Sequence, residues 1–248
     1  MSDSESEEVE YDYEIFSISS YTLKIKTVAF MPLSKLMLNQ SKGIEISGQK
    51  LWCGSLGVIE YVLDNPIEVT DHAVIELGAG TGVLGMICKK IGASEVYLTD
   101  YDSISINHMK CDINTNGFND TDSVKVVTLD WYNPIISEMQ QLISINKLPI
   151  KIVAGDVLYK HALLEPFMYT VKLILSSSSD PENGKTNDML LCHVPRAGVE
   201  HDLVTAAAIQ QNLIIEELSP ELYKKGSLIT YCPVEEIERA KLYRIYCI

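Results

Sequence analysis

Residues 74–82 read Val-Ile-Glu-Leu-Gly-Ala-Gly-Thr-Gly, an apolar β-like run that breaks into three alternating glycines and then enters an amphipathic stretch. No other feature limits the fold as tightly. A glycine-rich turn between a strand and a helix removes Cβ atoms where a ligand must approach the backbone, and the helix start offers unpaired N–H groups with partial positive charge. A dinucleotide site would need a glycine three positions after Gly80, where this chain has Val83, so that spacing fails. Glu76, two residues before Gly78, would repel a pyrophosphate and suits a cationic or zwitterionic ligand. Asp100 ends the next β-like run twenty residues after Gly80, where a carboxylate can accept hydrogen bonds from both hydroxyls of a ribose. The pattern describes a nucleoside that carries positive charge and no phosphates, and S-adenosylmethionine is such a molecule.

From Ala73 onward, short apolar runs alternate with longer amphipathic ones, as in βαβ units around a mainly parallel sheet. Strands are expected at residues 73–77, 95–99, 123–129, 150–154 and 189–194, and helices at 83–91, 103–112, 134–145, 161–175 and 199–211. The runs at 213–218, 227–232 and 242–248 all look strand-like, so the sheet is expected to finish in an antiparallel hairpin. The fold class is therefore α/β and Rossmann-like. Residues 176–188, rich in Ser, Asp, Pro, Asn and Gly, read as a surface loop insertion. Upstream, 16–30 alternates in two β-like pieces and 54–63 looks helical, so residues 15–50 are read as a small β extension of a single domain spanning 15–248.

Charge enters the argument at the N-terminus. The 248 residues hold 34 acids and 20 bases, for a net charge of -14, and seven of the acids fall within residues 1–14 with no base among them. Such a segment buries too little apolar surface to offset its ordering entropy, so 1–14 is expected to be a disordered tail, serving either as a solubilising end or as a docking arm for a basic partner. The balance disfavours a protein that grips nucleic acid through its phosphates. An acidic start and the lack of a membrane-length apolar run point to the cytoplasm or nucleus, without membrane attachment. The six cysteines are scattered without zinc-ligand spacing, so most are expected to be buried thiols, and no metal site is expected.

The segment Glu76 to Gly82 with Asp100 resembles the first two motifs of seven-β-strand S-adenosylmethionine methyltransferases. Leu51-Trp52, Leu129-Asp130-Trp131 and Gly155-Asp156-Val157-Leu158-Tyr159 extend the likeness to the protein-lysine enzymes called methyltransferase family 16. It covers residues 51–159 well and the remainder only by element order. The resemblance implies that Trp52 borders the methionine end of S-adenosylmethionine and that Gly78, Ala79 and Gly80 pass beneath it; Glu76, whose charge suits that cation, is expected to be a cofactor-binding residue with them. It further implies that Asp100 holds the ribose, that Trp131 packs on the adenine, and that Asp130 reaches the exocyclic amine. Gly155 stands where the family usually has Ala, a change expected to leave room for the cofactor.

Asp156 and Tyr159 match the element that lies beside the target nitrogen in that family. On this reading Asp156 attracts a protonated lysine of a partner protein and Tyr159 orients it or guides its proton to water, while placement and charge carry most of the catalysis. The partner is expected to be basic at the contact, and the enzyme monomeric. Methylation of arginine or of a small molecule would keep the cofactor site and alter only the acceptor cleft, and a non-catalytic scaffold is the reading from another class. His193 and Arg196 fall on the ligand side of the sheet and either line the acceptor cleft or serve as structural hydrogen-bonding groups. His161 and His201 are expected at the surface.

Overall fold

The computed structural model describes residues 10–30, 47–118, 123–135, 148–176 and 187–247. In chain order these form β1 (Glu10–Ile18), β2 (Tyr21–Phe30), α1 (Cys53–Asp64), β3 (Ala73–Leu77), α2 (Val83–Ile91), β4 (Glu95–Asp100) and α3 (Ser103–Thr115). There follow β5 (Val124–Thr128), β6 (Ile150–Gly155), α4 (Leu164–Leu175), β7 (Asp188–His193), α5 (His201–Gln210), β8 (Leu213–Glu217), α6 (Gly226–Tyr231), α7 (Val234–Arg239) and β9 (Lys241–Cys247).

Strands too apolar to face water on either side must be covered on both, which is why the central runs are nearly unbroken sequences of Val, Ile and Leu. Every residue of β3 and β7 is buried. The sheet has seven strands in the order β5-β4-β3-β6-β7-β9-β8. Strands β3 to β7 pair in parallel, and β9 enters antiparallel between β7 and β8. The expected α/β class, its mostly parallel sheet and its antiparallel finish are all present. Along β3 the side chains alternate between two cores: Val74 joins residues of α1 and α2, whereas Ile75 and Leu77 join residues of α4 and α5. The order reverses at β3, whose neighbours are β4 and β6, and this is where an open sheet of this kind leaves a crevice at its carboxyl edge.

Strands β1 and β2 form a separate antiparallel hairpin. Its apolar face places Phe16, Ile18, Leu23 and Ile25 in the core shared with α1 and α2. The free edge of β2 is satisfied by side chains of α3 and of its C-terminal flank: Lys26 N–H reaches Asp112 Oδ1 and Oδ2 at 3.2 and 3.1 Å, and Asn116 bonds both Lys24 N–H and Lys24 C=O, each at 2.8 Å.

Three expectations change. Residues 10–14 of the acidic segment lie in β1, where pairing with β2 brings Lys24 and Lys26 over the rings of Tyr13 and Tyr11 at 4.6 and 5.0 Å. A count of local charge misses bases supplied by the partner strand. Residues 227–232 are not a strand: α6 forms there because Glu60 of α1 accepts the Ser227 N–H at 2.6 Å and also its hydroxyl, completing the start of the helix. Cys53 and Cys232 are not separate thiols but a disulfide, 179 residues apart in sequence and 5.8 Å apart at Cα; Cys88 and Cys192 are buried thiols. Residues 1–9, the body of the expected helix at 134–145 and most of the loop at 176–188 lie outside the described residues, and Asp188 itself begins β7. Among the described residues no helix is long and apolar enough to cross a membrane, and no three metal-ligating side chains cluster.

Candidate active site

At the carboxyl ends of β3, β4 and β6 lies a cleft of about 420 Å³ whose walls include Trp52, Gly78, Ala79, Gly80, Asp100, Asp130, Trp131, Gly155, Asp156 and Tyr159. Residues drawn from five separate stretches of chain thus meet at one place. Parallel pairing aligns the ends of neighbouring strands, so Asp100 and Gly155 are delivered to the same edge as the glycine turn.

The turn itself is held from below and above. Ala79 N–H reaches the Thr99 carbonyl at 2.8 Å, and Gly80 N–H reaches Asp100 Oδ2 at 2.9 Å. Gly80 has φ +54°, and a Cβ there would stand 2.7 Å from the Gly48 carbonyl oxygen. Part of what glycine permits at this position is therefore the docking of the 47–49 segment over the turn. Gly48 and Lys50 line the cleft as well, and no periodicity marked them, because their neighbours lie on distant parts of the chain.

Glu76 departs from its expected place. It is 2 % exposed, lies outside the lining of the cleft, and accepts the Gly85 N–H of α2 through Oε2 at 2.8 Å. Strand alternation turns it inward beside Val74, where it satisfies one of the free donors of the first helical turn. Burial pushes its carboxyl up to about 8, with the nearby charge of Asp100 adding to the effect and the Gly85 N–H opposing it.

Asp100 keeps its place at the cleft. Its two oxygens take N–H groups of Gly80 and Asp102, at 2.9 and 3.0 Å, which fixes the carboxylate and leaves further lone pairs for ligand hydroxyls. Burial raises its carboxyl above the usual range. Asp102 caps α3 by accepting Ser105 N–H at 2.8 Å. Trp131 stands on Phe167 edge to face with ring centroids 4.9 Å apart, and a Cβ on Gly78 would come within 3.2 Å of its ring. Asp130 is exposed and accepts the Tyr132 N–H at 2.9 Å.

Asp156 adopts φ +58°, and its side chain has 0 % exposure. Oδ1 accepts Val194 N–H at 2.8 Å, Oδ2 accepts Gly54 N–H at 2.9 Å, and Arg196 Nη2 donates to Oδ2 at 3.3 Å. Burial raises its carboxyl, opposed chiefly by the Gly54 N–H and the Arg196 charge. Direct contact with an acceptor amine does not fit a carboxylate so enclosed. Tyr159 is half-buried in the wall of the cleft, with Lys160 Nζ 5.0 Å from its ring centroid.

Gly155 also has a different reason to be glycine. A Cβ there would fall 2.1 Å from Ser55 N and 2.4 Å from Gly54 C, so the start of α1 fills the space, rather than the cleft. Of the two residues left open, Arg196 lines the cleft, whereas His193 is buried and bonds the Val199 carbonyl through Nε2 at 3.1 Å. His161 is exposed as expected; His201 is half-buried against His193 and Tyr243 and bonds the Arg239 carbonyl at 2.9 Å.

These residues suit the expected ligand. Trp52, Leu129 and Trp131 offer apolar surface for a base and an aliphatic arm, Asp100 offers fixed acceptors, and the lining holds Asp100, Asp102, Asp130 and Asp156 against Lys50, Lys160 and Arg196.

A family model described as lysine methyltransferase matches residues 32–204. The protein N-terminal and lysine N-methyltransferase EFM7 of Cryptococcus neoformans is 27 % identical over 180 residues, covering 68 % of this chain and 58 % of that protein. The protein-lysine N-methyltransferase EFM3 of Chaetomium thermophilum is 23 % identical over 195 residues, covering 75 % of this chain and 57 % of that one. The chain therefore spans less than three fifths of the length of these curated relatives. Among solved structures, a 16S rRNA methyltransferase of T. thermophilus in complex with AdoMet and guanosine aligns with 97 % of this chain and 51 % of its own, at a TM-score of 0.59 and 13 % identity. A SAM-dependent methyltransferase of Agrobacterium tumefaciens aligns with 97 % of this chain and 71 % of its own, at a TM-score of 0.54 and 13 % identity. At that identity the likeness bears on the fold.

Proposed function

The chain belongs to the lysine methyltransferase family, and from that membership we propose that it transfers the methyl group of S-adenosylmethionine to a lysine side chain of a protein. The observation that carries this reading is the meeting of the glycine turn, Asp100, Trp131 and Tyr159 around one cleft at the reversal of the strand order. Bound there, S-adenosylmethionine would supply a methyl group on a positively charged sulfur, transferred in line to an amine.

The chain's own contribution is placement. Asp100 takes the ribose hydroxyls, the Trp131 face packs on the adenine, Asp130 lies at the exocyclic amine, and Trp52 closes the methionine end. Tyr159 orients the incoming nitrogen through its hydroxyl and guides the departing proton to water. Asp156 works at one remove, holding the start of α1 and Arg196 in position. Glu76 supports the turn from beneath. The acceptor protein is basic at its contact, the enzyme acts as a monomer in the cytoplasm or nucleus, and nucleic acid is not its substrate; the acidic balance of 34 acids to 20 bases supports the basic acceptor and the exclusion of nucleic acid.

The test is incubation of the purified protein with labelled S-adenosylmethionine and a cell lysate, followed by identification of the labelled species. A protein band containing methyl-lysine is the expected result. Methylated α-amine or histidine, methyl-arginine, labelled RNA or a labelled small molecule would each replace lysine as the acceptor. Cofactor binding with no label transferred would leave the scaffold reading.

A further inference from the structure

Three charged residues from distant parts of the chain join on one side of the cleft. Arg196 Nη2 lies 3.3 Å from Asp156 Oδ2 and 2.7 Å from Glu236 Oε2, and Nη1 lies 3.2 Å from Glu236 Oε1. The same guanidinium lies over the ring of Trp52, 4.6 Å from its centroid. Arg196 is presented by a tight turn, closed by a bridge to Val199, with Ala197 and Gly198 at φ +48° and +81°. Arg196 and Ala197 face the cleft, whereas Glu236, on α7, is absent from its lining and stands behind the arginine.

Two carboxylates on one guanidinium leave a formal excess of one negative charge beside Trp52. Lys50 also approaches that ring, at 5.1 Å from the centroid, but it is exposed, so water and salt screen it more than they screen the trio, in which the Asp156 side chain is fully buried. An unbalanced charge partly withdrawn from water acts on a neighbouring ligand more strongly than one at the surface.

We propose that the Asp156–Arg196–Glu236 trio sets the charge at the reacting end of the cleft, so that a sulfonium is held more tightly than the neutral thioether left after methyl transfer. Glu236 is the positioning residue that tunes this preference through Arg196. The inference rests on the methyltransferase reading above. Its consequence is exchange: loss of the positive charge on sulfur weakens retention of the spent cofactor and favours its replacement.

The test needs no acceptor. Dissociation constants for S-adenosylmethionine and S-adenosylhomocysteine are measured by calorimetry on the full chain, for the wild type, Glu236→Gln and Arg196→Lys. Glu236→Gln should weaken S-adenosylmethionine roughly threefold or more while leaving S-adenosylhomocysteine unchanged, with the difference shrinking as salt is raised. Arg196→Lys, which conserves the charge, should retain the wild-type preference. If Glu236→Gln moves both ligands equally or neither, the trio only supports the fold and the proposal fails. If the wild type binds neither molecule, the methyltransferase reading itself is overturned.

Discussion

Gly155 at the end of β6 and Ser55 at the start of α1 are in backbone contact so close that a Cβ on Gly155 would stand 2.1 Å from the Ser55 nitrogen. Even the smallest side chain must therefore push the helix away from the sheet. Gly155→Ala is expected to destabilise the protein by about 1–3 kcal/mol, the range for overpacking a rigid site. It should also displace Trp52, which precedes α1, and so weaken S-adenosylhomocysteine binding. Urea unfolding and calorimetry check the two effects; stability equal to wild type would show that α1 can yield at no cost.

Glu76 supplies a pH test with a definite sign. Its carboxyl is raised from 4.5 to about 8 by burial, so between those values the unfolded chain has lost a proton that the folded chain keeps. Stability from this group is therefore greatest below about pH 4.5 and declines as pH rises towards 8. Glu76→Gln keeps an acceptor for Gly85 N–H and removes the titration. The stability difference, variant minus wild type, should grow steadily from pH 5 to pH 8 in thermal unfolding; a difference independent of pH would refute the assignment.

Asp100 holds two backbone N–H groups with two oxygens. Asp100→Asn turns one of those acceptors into a donor and leaves one N–H facing an NH2 group. The expected cost is about 1–3 kcal/mol in stability, from a buried donor left unpaired. Binding of S-adenosylhomocysteine should fall at least about tenfold if the same carboxylate also takes ribose hydroxyls. Unchanged affinity by calorimetry would remove Asp100 from the cofactor site.

An ionic network joins Lys151 of β6 and Arg244 of β9 to Asp188 of β7 and to Glu68 in the short turn of helix Pro66–Glu68, with Lys151 and Asp188 buried and the other two half-buried. Burial alone would raise the Glu68 carboxyl, but Arg244 and Lys151 bring it down to about 2. Its contribution is present above about pH 4.5 and is lost as pH falls towards 2. Lys151→Met leaves two acids sharing one base and should cost about 3–5 kcal/mol at neutral pH. The variant should also lose less further stability on acidification than the wild type, measured by urea unfolding at pH 7 and pH 3.

The strands, the glycine turn and the register of Asp100 were legible because each is written in a short stretch: period-two apolar runs, glycines at fixed intervals, and a carboxylate at a strand end. The inward turn of Glu76 was also in principle legible, since it shares a face of β3 with Val74. Its partner was not, because Gly85 reaches it only once α2 has folded back over the strand.

Local pattern by itself determined the α/β class and the meeting of the glycine turn with Asp100 at the carboxyl edge of the sheet, since periodicity and backbone freedom are properties of neighbouring residues; Trp52, Trp131, Asp156 and Tyr159 were placed at the cleft only by resemblance to a family. Tertiary structure alone decided what the carboxylates do. Asp156 is bound to Gly54 across 102 residues and to Arg196 across 40, and Glu60 starts α6 from 167 residues away. A carboxylate's role is set by the donors that surround it and by its exclusion from water, and both come into being only when distant segments close on one another.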